Sequence, residues 1–295
     1  MVEMKIQKVG TRGYLFSFDE PYLTNLYVIN GNKHLFICDT FLGPDPMREI
    51  IKYLENEGIK NKEIIIFNTH YDYDHIWGNQ IFENSKIIAQ ELCIRELEKV
   101  GEGDLKQFEA HKMGDVKLVI PNTSFTEKLS YPEEGIEFYH SPGHTADSSS
   151  CYDSIDNVLI VGDNLESPFP YIRILNIDKY TNSLREYLSR DAKIIISGHD
   201  ELMTDDTLLK SNLDYLEHFA PHKIDRSKFT KKHRGIHFSN VKTMGELLRN
   251  KGKKEEALEY YQEAAIILTE AEPTPHIDEL KKVIKKSIDE LTTSI

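Results

Sequence analysis

The most constraining feature of this sequence is a dense group of metal-binding side chains in its first third. Two histidines and two aspartates lie within six residues: His70, Asp72, Asp74 and His75. The apolar, β-branched run before them, residues 63–67, predicts a buried strand that ends just ahead of the group. Since residues i and i+2 of an extended chain point to the same side, His70 and Asp72 should face one point. A turn would then present Asp74 and His75 to a second point nearby.

Three later strands are predicted to lead into residues of the same kind. The turn Ser141-Pro-Gly-His144 follows a predicted strand over residues 136–140, and its proline and glycine can hold His144 rigidly. A second apolar strand ends in Gly-Asp163 and a third in Gly-His199. Because functional residues often lie on loops held by a rigid scaffold, this order predicts one metal site assembled from several strand ends.

On these motifs the chain resembles the metallo-β-lactamase fold superfamily. The five motifs of that family match Ile37-Cys38-Asp39-Thr40, the 70–75 group, His144, Asp163 and His199, and they span about residues 4–219. The resemblance implies an α/β fold, namely an αββα sandwich in which two mixed sheets pack face to face, with helices outside and metals at one edge.

The resemblance also implies how two metal ions would be held. The implied ligands of the first metal are His70, Asp72 and His144. Those of the second are Asp74, His75 and His199, and Asp163 bridges the two. Asp39 would orient one of these ligands. The expected cofactors are two divalent ions, zinc first, with iron or manganese as alternatives.

Asp72 departs from the usual second motif of the family, His-x-His-x-Asp-His, in which a histidine stands at this position. The usual site sets two aspartates and a hydroxide against two divalent ions, whereas this one sets three aspartates and a hydroxide against them. Oxygen-rich ligation shifts preference toward iron or manganese, although ligand type rarely decides selectivity alone. Flavodiiron proteins of the same superfamily carry a glutamate here. The side chain of Asp72 is one methylene shorter than that of glutamate. If it does not reach the first metal, the alternative is a centre with a single metal ion.

Two enzymatic functions follow from the resemblance. The first is a metal-dependent hydrolase, in which a metal-bridging hydroxide attacks an ester, thioester, lactone, amide or phosphodiester, and Asp74 orients the hydroxide as the catalytic residue. Metal-bound water forms hydroxide readily because its pKa falls toward ~7. The alternative is a non-haem diiron protein that binds or reduces dioxygen or nitric oxide, motivated by the carboxylate of Asp72. A scaffold without activity that acts through its C-terminal helices is a third reading.

Net charge and cysteine content limit the classes of partner and the compartment expected for this chain. The net charge of −13 over 295 residues argues against non-specific binding to nucleic acid, so a small-molecule substrate is expected. Three scattered cysteines do not form a disulfide framework. The first residues lack the apolar core of a signal peptide, and no apolar run approaches the ~20 residues of a membrane span. These features predict a cytoplasmic protein.

The early chain predicts the order strand, strand, strand, strand, helix. The strands are expected over residues 5–9, 14–18, 26–30 and 35–38. The helix is expected over residues 45–54, with Asp45 as its N-cap. Two segments, 101–113 and 166–176, are expected to be loops over the metal edge that set substrate specificity.

Composition changes after residue 220 and divides the chain into three parts. Residues 1–220 are expected to form the metallo-β-lactamase-like domain, 221–238 a basic connector and 239–295 a C-terminal helical extension. Helices are predicted at about residues 239–250, 254–268 and 276–291. Their pattern predicts a single tetratricopeptide-like helix pair followed by one more helix. Because stable solenoids need about three repeats, we expect these helices to pack against the core or, in a homodimer, against a second copy, rather than to form a free peptide-binding array.

Overall fold

Two β-sheets pack face to face in the computed structural model, which describes residues 3–294. The first sheet has its strands in chain order: β1 (Met4–Val9), β2 (Gly13–Phe18), β3 (Thr24–Asn30), β4 (His34–Cys38), β5 (Glu63–Phe67), β6 (Lys86–Gln90) and β7 (Thr123–Phe125). The second sheet, in spatial order, comprises β12 (Ile194–Ser197), β11 (Val158–Gly162), β10 (Ser149–Asp153), β9 (Ile136–His140) and β8 (Lys128–Tyr131). Each sheet combines antiparallel and parallel pairs, so both are mixed, as predicted.

Helices cover the outer faces of both sheets. The first sheet carries α1 (Pro44–Asn56) and α3 (Glu91–Gln107). The second sheet carries α4 (Ile177–Arg190), α5 (Thr207–Glu217), α6 (Lys231–Asn250), α7 (Lys254–Thr269) and α8 (Pro275–Thr292). A single turn, α2 (Tyr73–Ile76), follows β5. The fold is therefore the expected αββα sandwich with a C-terminal helical extension.

The central strands are apolar on both faces because both faces are buried. In β5, Phe67 points between the sheets while its neighbour Ile66 points toward the helices. Phe67 stacks on Phe138 of the opposite sheet, with ring centroids 4.3 Å apart. Side chains alternate between the faces of a strand, so a strand covered on both sides needs a continuous apolar run. This explains the run that precedes the metal-binding residues in the sequence.

Two local predictions for the α/β sandwich are wrong. The helix expected over 45–54 begins at Pro44, and its N-cap is Gly43 rather than Asp45. Gly43 has a φ of +154°, and a Cβ there would lie 2.4 Å from the carbonyl oxygen of Met113, which only glycine avoids. The segment 101–113 is not wholly a loop, because α3 continues to Gln107.

The C-terminal helices agree with the predicted positions except at one end. The first of them, α6, begins at Lys231 rather than near 239. The side chain of Thr230 accepts a hydrogen bond from the backbone N–H of His233, which caps the helix inside the basic stretch. The division of the chain at residues 220 and 238 stays a prediction.

The extension shares its apolar core with the second sheet. Leu159 of β11, Leu184 of α4, Met244 of α6, Ala264 of α7 and Ile284 of α8 belong to one buried cluster. None of the helices in residues 3–294 combines the length and the apolar character needed to cross a bilayer. Pairing of two copies through the extension stays a prediction.

Asn240 of α6 ties the extension to the loop that follows β11. Its Nδ2 donates to the carbonyl oxygen of Pro170 at 2.8 Å, and its Oδ1 accepts from the N–H of Ile172 at 2.9 Å. Both backbone groups lie in the segment 166–176, which the sequence assigns to substrate specificity. The extension therefore holds this loop in place.

We expect Asn240→Ala to lower the free energy of unfolding by about 2 to 4 kcal/mol, because it leaves the carbonyl of Pro170 and the N–H of Ile172 buried without partners. Urea unfolding measures the change. The matched control is Asn250→Ala on the same helix, where the side chain is exposed and the change should stay within about 0.5 kcal/mol. Equal effects of the two substitutions would contradict this role for Asn240.

Candidate metal centre

The predicted ligands meet at one edge of the sandwich, where the chain leaves four strands. They are His70, Asp72, Asp74 and His75 after β5, His144 after β9, Asp163 after β11 and His199 after β12. Their donor atoms form two groups, within each of which one atom of every residue lies within 4.8 Å of the others. The structure thus brings together all seven residues singled out from the sequence.

The first group consists of His70, Asp72, His144 and Asp163. Oδ2 of Asp72 lies 3.4 Å from Nε2 of His70 and 3.3 Å from Nε2 of His144. Oδ2 of Asp163 lies 3.5 Å from the same nitrogen of His70. The carboxylate of Asp72 therefore reaches the group in spite of its shorter side chain.

The second group consists of Asp74, His75 and His199. Oδ2 of Asp74 lies 3.4 Å from Nε2 of His199 and 3.8 Å from Nε2 of His75. Asp163 also faces this group, since its Oδ1 is 3.3 Å from Nε2 of His75 and its Oδ2 is 3.2 Å from Nε2 of His199. Asp163 thus lies between the two groups, where a bridging ligand would be.

The two groups fit divalent metal ions. Ligand atoms that share one ion at about 2.1 Å in tetrahedral geometry lie roughly 3.4 Å apart, close to the separations observed. Among residues 3–294, Nε2 of His70, Nε2 of His75 and Oδ1 of Asp163 are buried atoms without a hydrogen-bond partner. All three atoms face the two groups, so they are available to bind an ion. Nitrogen and carboxylate oxygen are the donors that zinc accepts.

The other ring nitrogens of the histidines hold the rings in position. Nδ1 of His199 donates to the carbonyl oxygen of Leu23 at 2.7 Å, and Nδ1 of His144 donates to that of Tyr171 at 3.2 Å. A carbonyl oxygen only accepts, so each Nδ1 carries the proton and the neutral ring keeps a lone pair on Nε2. The backbone therefore selects the tautomer that binds metal through Nε2.

Asp39 performs the same task for His75, as expected from the sequence. Its Oδ2 lies 2.8 Å from Nδ1 of His75, and its Oδ1 accepts the backbone N–H of Thr69 at 2.8 Å. Asp39 has a φ of +66°, an uncommon left-handed conformation that aspartate adopts more readily than most residues. The contact links the end of β4 to the turn after β5 that carries the predicted ligands.

Proton affinity in the two groups reflects the balance between burial and carboxylate charge. Burial and the charge of His75 lower the pKa of His70, but the carboxylates of Asp163 and Asp72 raise it overall to about 10. Burial lowers the pKa of His199, yet Asp163 and Asp74 raise it to about 10. Burial acts to raise the pKa of Asp163, but the three histidines around it hold that pKa well below the usual value. In the absence of metal, the carboxylates therefore favour the protonated forms of His70 and His199.

Arg173 joins the first group, and sequence analysis did not find it. One guanidinium nitrogen, Nη1, donates to Oδ2 of Asp72, the oxygen that also faces His70 and His144. The other, Nη2, donates to the hydroxyl of Tyr71 at 2.6 Å. Arg173 lies in a loop without a motif and 101 residues from Asp72, so no local pattern reveals the contact.

A chain of hydrogen bonds leads away from Asp74 on the other side. The hydroxyl of Tyr22 donates to Oδ2 of Asp74 at 3.1 Å and lies 2.9 Å from the hydroxyl of Tyr73, which lies 2.8 Å from Nδ1 of His111. Burial and the charge of Asp74 raise the pKa of Tyr22, so this residue stays a phenol and a donor. Tyr22 is a second residue that the sequence did not reveal.

We expect zinc binding to the metal-free protein at pH 8 to release about two protons or more, because the pKa values of His70 and His199 are raised to about 10 and these rings must lose a proton to bind metal. Raised histidine pKa values make protons compete with metal, so zinc affinity should rise as pH increases toward about 10. Calorimetry in buffers of different ionisation enthalpy counts the protons.

The matched variants for this measurement are His199→Ala and His218→Ala. The first should lower the release by about one proton. The second should leave it unchanged, because His218 lies exposed on the surface beside Asp214. Unchanged proton release in His199→Ala would contradict the raised pKa of His199.

Comparison with known proteins agrees with this geometry. The family profile described as metallo-beta-lactamase superfamily matches residues 19–199, which is more than half of the chain. No curated protein matches the chain.

Several solved metallo-β-lactamases share the fold. TMB-1 superposes with a TM-score of 0.59 at 19% identity, covering 74% of this chain and 98% of its own. DIM-1 metallo-β-lactamase gives 0.58 at 21% identity, with the same two coverages. The metallo-β-lactamase from Pontibacter korlensis gives 0.57 at 15% identity, covering 73% of this chain and 99% of its own. At such identities the likeness shows the fold alone. Together with the profile match, it establishes that this chain belongs to the metallo-β-lactamase superfamily.

Proposed function

We propose that this protein is a metal-dependent hydrolase that uses two divalent ions, zinc in the first place, on a small-molecule ester, thioester, lactone, amide or phosphodiester. Membership of a superfamily made up mostly of hydrolytic metalloenzymes supports a metal-dependent hydrolase in general. The observation that carries the proposal is the position of Asp163 between two groups of ligand atoms. The proposed ligands are His70, Asp72, His144, Asp74, His75, His199 and Asp163.

Asp74 is the proposed catalytic residue. Divalent ions at the two positions would supply a water molecule whose pKa is lowered toward ~7 and would polarise the attacked group. Oδ2 of Asp74 is fixed by the hydroxyl of Tyr22 and faces His199, so its carboxylate can accept the proton of the attacking water and orient that water. Asp74 is nearly buried, which keeps bulk water from competing for the same hydrogen bond.

The chemistry around the centre favours a small substrate. Tyr71 and Tyr73 lie next to the ligands in sequence, and Tyr22 and Arg173 contact ligand carboxylates. These groups offer aromatic surface and hydrogen-bond donors to a substrate that enters over the metal edge. The net charge of −13 argues against a polyanionic substrate such as nucleic acid. The segment 166–176, held by Asn240, is the proposed specificity loop.

The diiron alternative rests on the three carboxylates of Asp72, Asp74 and Asp163. Oxygen donors favour iron more than histidine does. Oxygen reduction also needs a source of electrons. Residues 3–294 form the sandwich and its helical extension, so the electrons would have to come from a redox partner outside these residues. The hydrolase needs no such partner and is therefore preferred.

We expect Asp74→Asn to lower kcat/KM for the best substrate by about 10²- to 10⁴-fold, because the amide cannot accept the proton of the attacking water. The assay uses protein reconstituted with zinc on a panel of esters, thioesters, lactones, amides and phosphodiesters. Asp214→Asn is the matched control, since this aspartate is exposed on α5 and should leave the rate unchanged. Failure of the fully metallated protein to turn over any member of the panel would contradict the hydrolase proposal.

Metal content distinguishes the two functions. We expect protein produced with equal zinc, iron and manganese to contain about two zinc ions per chain by elemental mass spectrometry, because four histidines contribute to the proposed ligands. Near-stoichiometric iron with a ferric absorption band would instead favour the diiron alternative. The same sample then serves for the hydrolysis panel or for assays with dioxygen and nitric oxide.

A further inference from the structure

One carboxylate oxygen of the centre, Oδ2 of Asp72, contacts both the histidines of the first group and an arginine. Oδ2 of Asp72 is the atom that faces Nε2 of both His70 and His144, at 3.4 Å and 3.3 Å, and it also accepts from the guanidinium of Arg173. A carboxylate oxygen has two lone pairs, so it can bind a metal ion with one and accept a hydrogen bond with the other. The arginine is therefore placed to act on the ligand itself.

Arg173 is fixed by contacts other than Asp72. Its Nη2 donates to the hydroxyl of Tyr71, and its guanidinium lies 5.3 Å from the centre of the same ring. Its backbone N–H donates to the carbonyl oxygen of His144 at 3.1 Å. The preceding residue, Ile172, is held by Asn240. The side chain of Arg173 is 38% exposed, but Tyr71 holds its guanidinium and hydrogen bonds hold its backbone, so its position does not depend on Asp72 alone.

Together, Asp72 and Arg173 have the same net charge as the neutral histidine that the family usually has at the position of Asp72. A neutral histidine in the second position of the motif adds no charge to the site. An aspartate adds one negative charge, and a guanidinium in contact with it adds one positive charge. We propose that Asp72 and Arg173 together replace that histidine, with Asp72 supplying the ligand oxygen and Arg173 acting as a positioning residue that cancels its charge. The inference rests on the metal centre proposed above and not on the reaction it performs.

The proposal predicts that the usual histidine is harmful in this chain. In Asp72→His the guanidinium of Arg173 loses its carboxylate and stays 3.4 Å from Nε2 of His144, where it repels a divalent ion. We expect zinc binding at the first position to weaken by about 10- to 100-fold, the usual effect of disturbing a partner of a metal ligand. The double variant Asp72→His/Arg173→Gln removes the unpaired charge and should recover two zinc ions per chain.

Competitive zinc titration with a chromophoric chelator measures both affinities, and elemental mass spectrometry gives the stoichiometry. Thermal unfolding of each variant shows that the chain is folded. The proposal is overturned if Asp72→His binds two zinc ions as tightly as the natural chain, or if the double variant binds no better than Asp72→His. It is also overturned if the natural chain binds one ion and Arg173→Gln binds two, because the arginine would then displace the metal.

The identity of the metal provides a second test that a merely structural arginine would not pass. Arg173→Gln leaves three carboxylates without a compensating cation, so the iron-to-zinc ratio after production with equal amounts of both should rise, with a ferric absorption band. Arg173→Lys keeps the charge and should keep the ratio of the natural chain. Arg185→Gln is the matched control, because Arg185 pairs with Glu217 on the surface.

If Arg173→Gln has the same iron-to-zinc ratio as the natural chain, the proposal that Arg173 cancels the charge of Asp72 is overturned. None of these measurements uses turnover, so a protein that binds two zinc ions but hydrolyses nothing would defeat the proposed function and leave this inference standing.

Discussion

The metal centre depends on how closely the ends of neighbouring strands can approach one another. A Cβ on Gly198 would lie 2.1 Å from Oδ1 of Asp163 and 2.9 Å from Cε1 of His75. Asp163 faces both groups of ligand atoms, so both proposed metal positions need the space that this glycine leaves open. Gly162, just before Asp163, has a φ of +53° and lies against Thr69, which makes the second close approach. The spacing of the proposed ligands thus depends on two positions, Gly162 and Gly198, at which there is no room for a side chain.

The position of each proposed ligand shortly after an apolar strand explains why these residues could be placed at one edge of the sandwich from the sequence. A buried strand fixes the direction in which the chain leaves it, so residues such as Asp163 and His199 can be assigned to one edge from local sequence. Arg173 could not be assigned in this way, because its contact with Asp72 exists only once two segments 101 residues apart have folded together. The length of α3 was missed for a related reason. Gly101 looks like a break in the helix, but it is the point where Leu118 packs closely against it.

The helical extension contributes to the centre through a short series of contacts. Asn240 of α6 holds the backbone at Pro170 and Ile172. The next residue, Arg173, donates its backbone N–H to His144 and its guanidinium to Asp72. A change on α6 can therefore reach the first group of ligand atoms through two hydrogen bonds, which the peptide bond between Ile172 and Arg173 joins. The helical extension thus supports the part of the chain that carries the proposed ligands.

The contact between Arg173 and Asp72 changes the net charge that should be assigned to the centre. Ligand identity alone gives three aspartates, one more than the usual motif, and favours iron. Counting every charge in contact with the ligands adds Arg173 and returns the total to that of a site with histidine in place of Asp72. Charges at contact distance act strongly in a partly buried site, where the effective dielectric constant is far below that of water. On this proposal, the ligand motif alone gives the wrong net charge for the centre. The substitution that matters spans two positions, and only the folded chain brings them together.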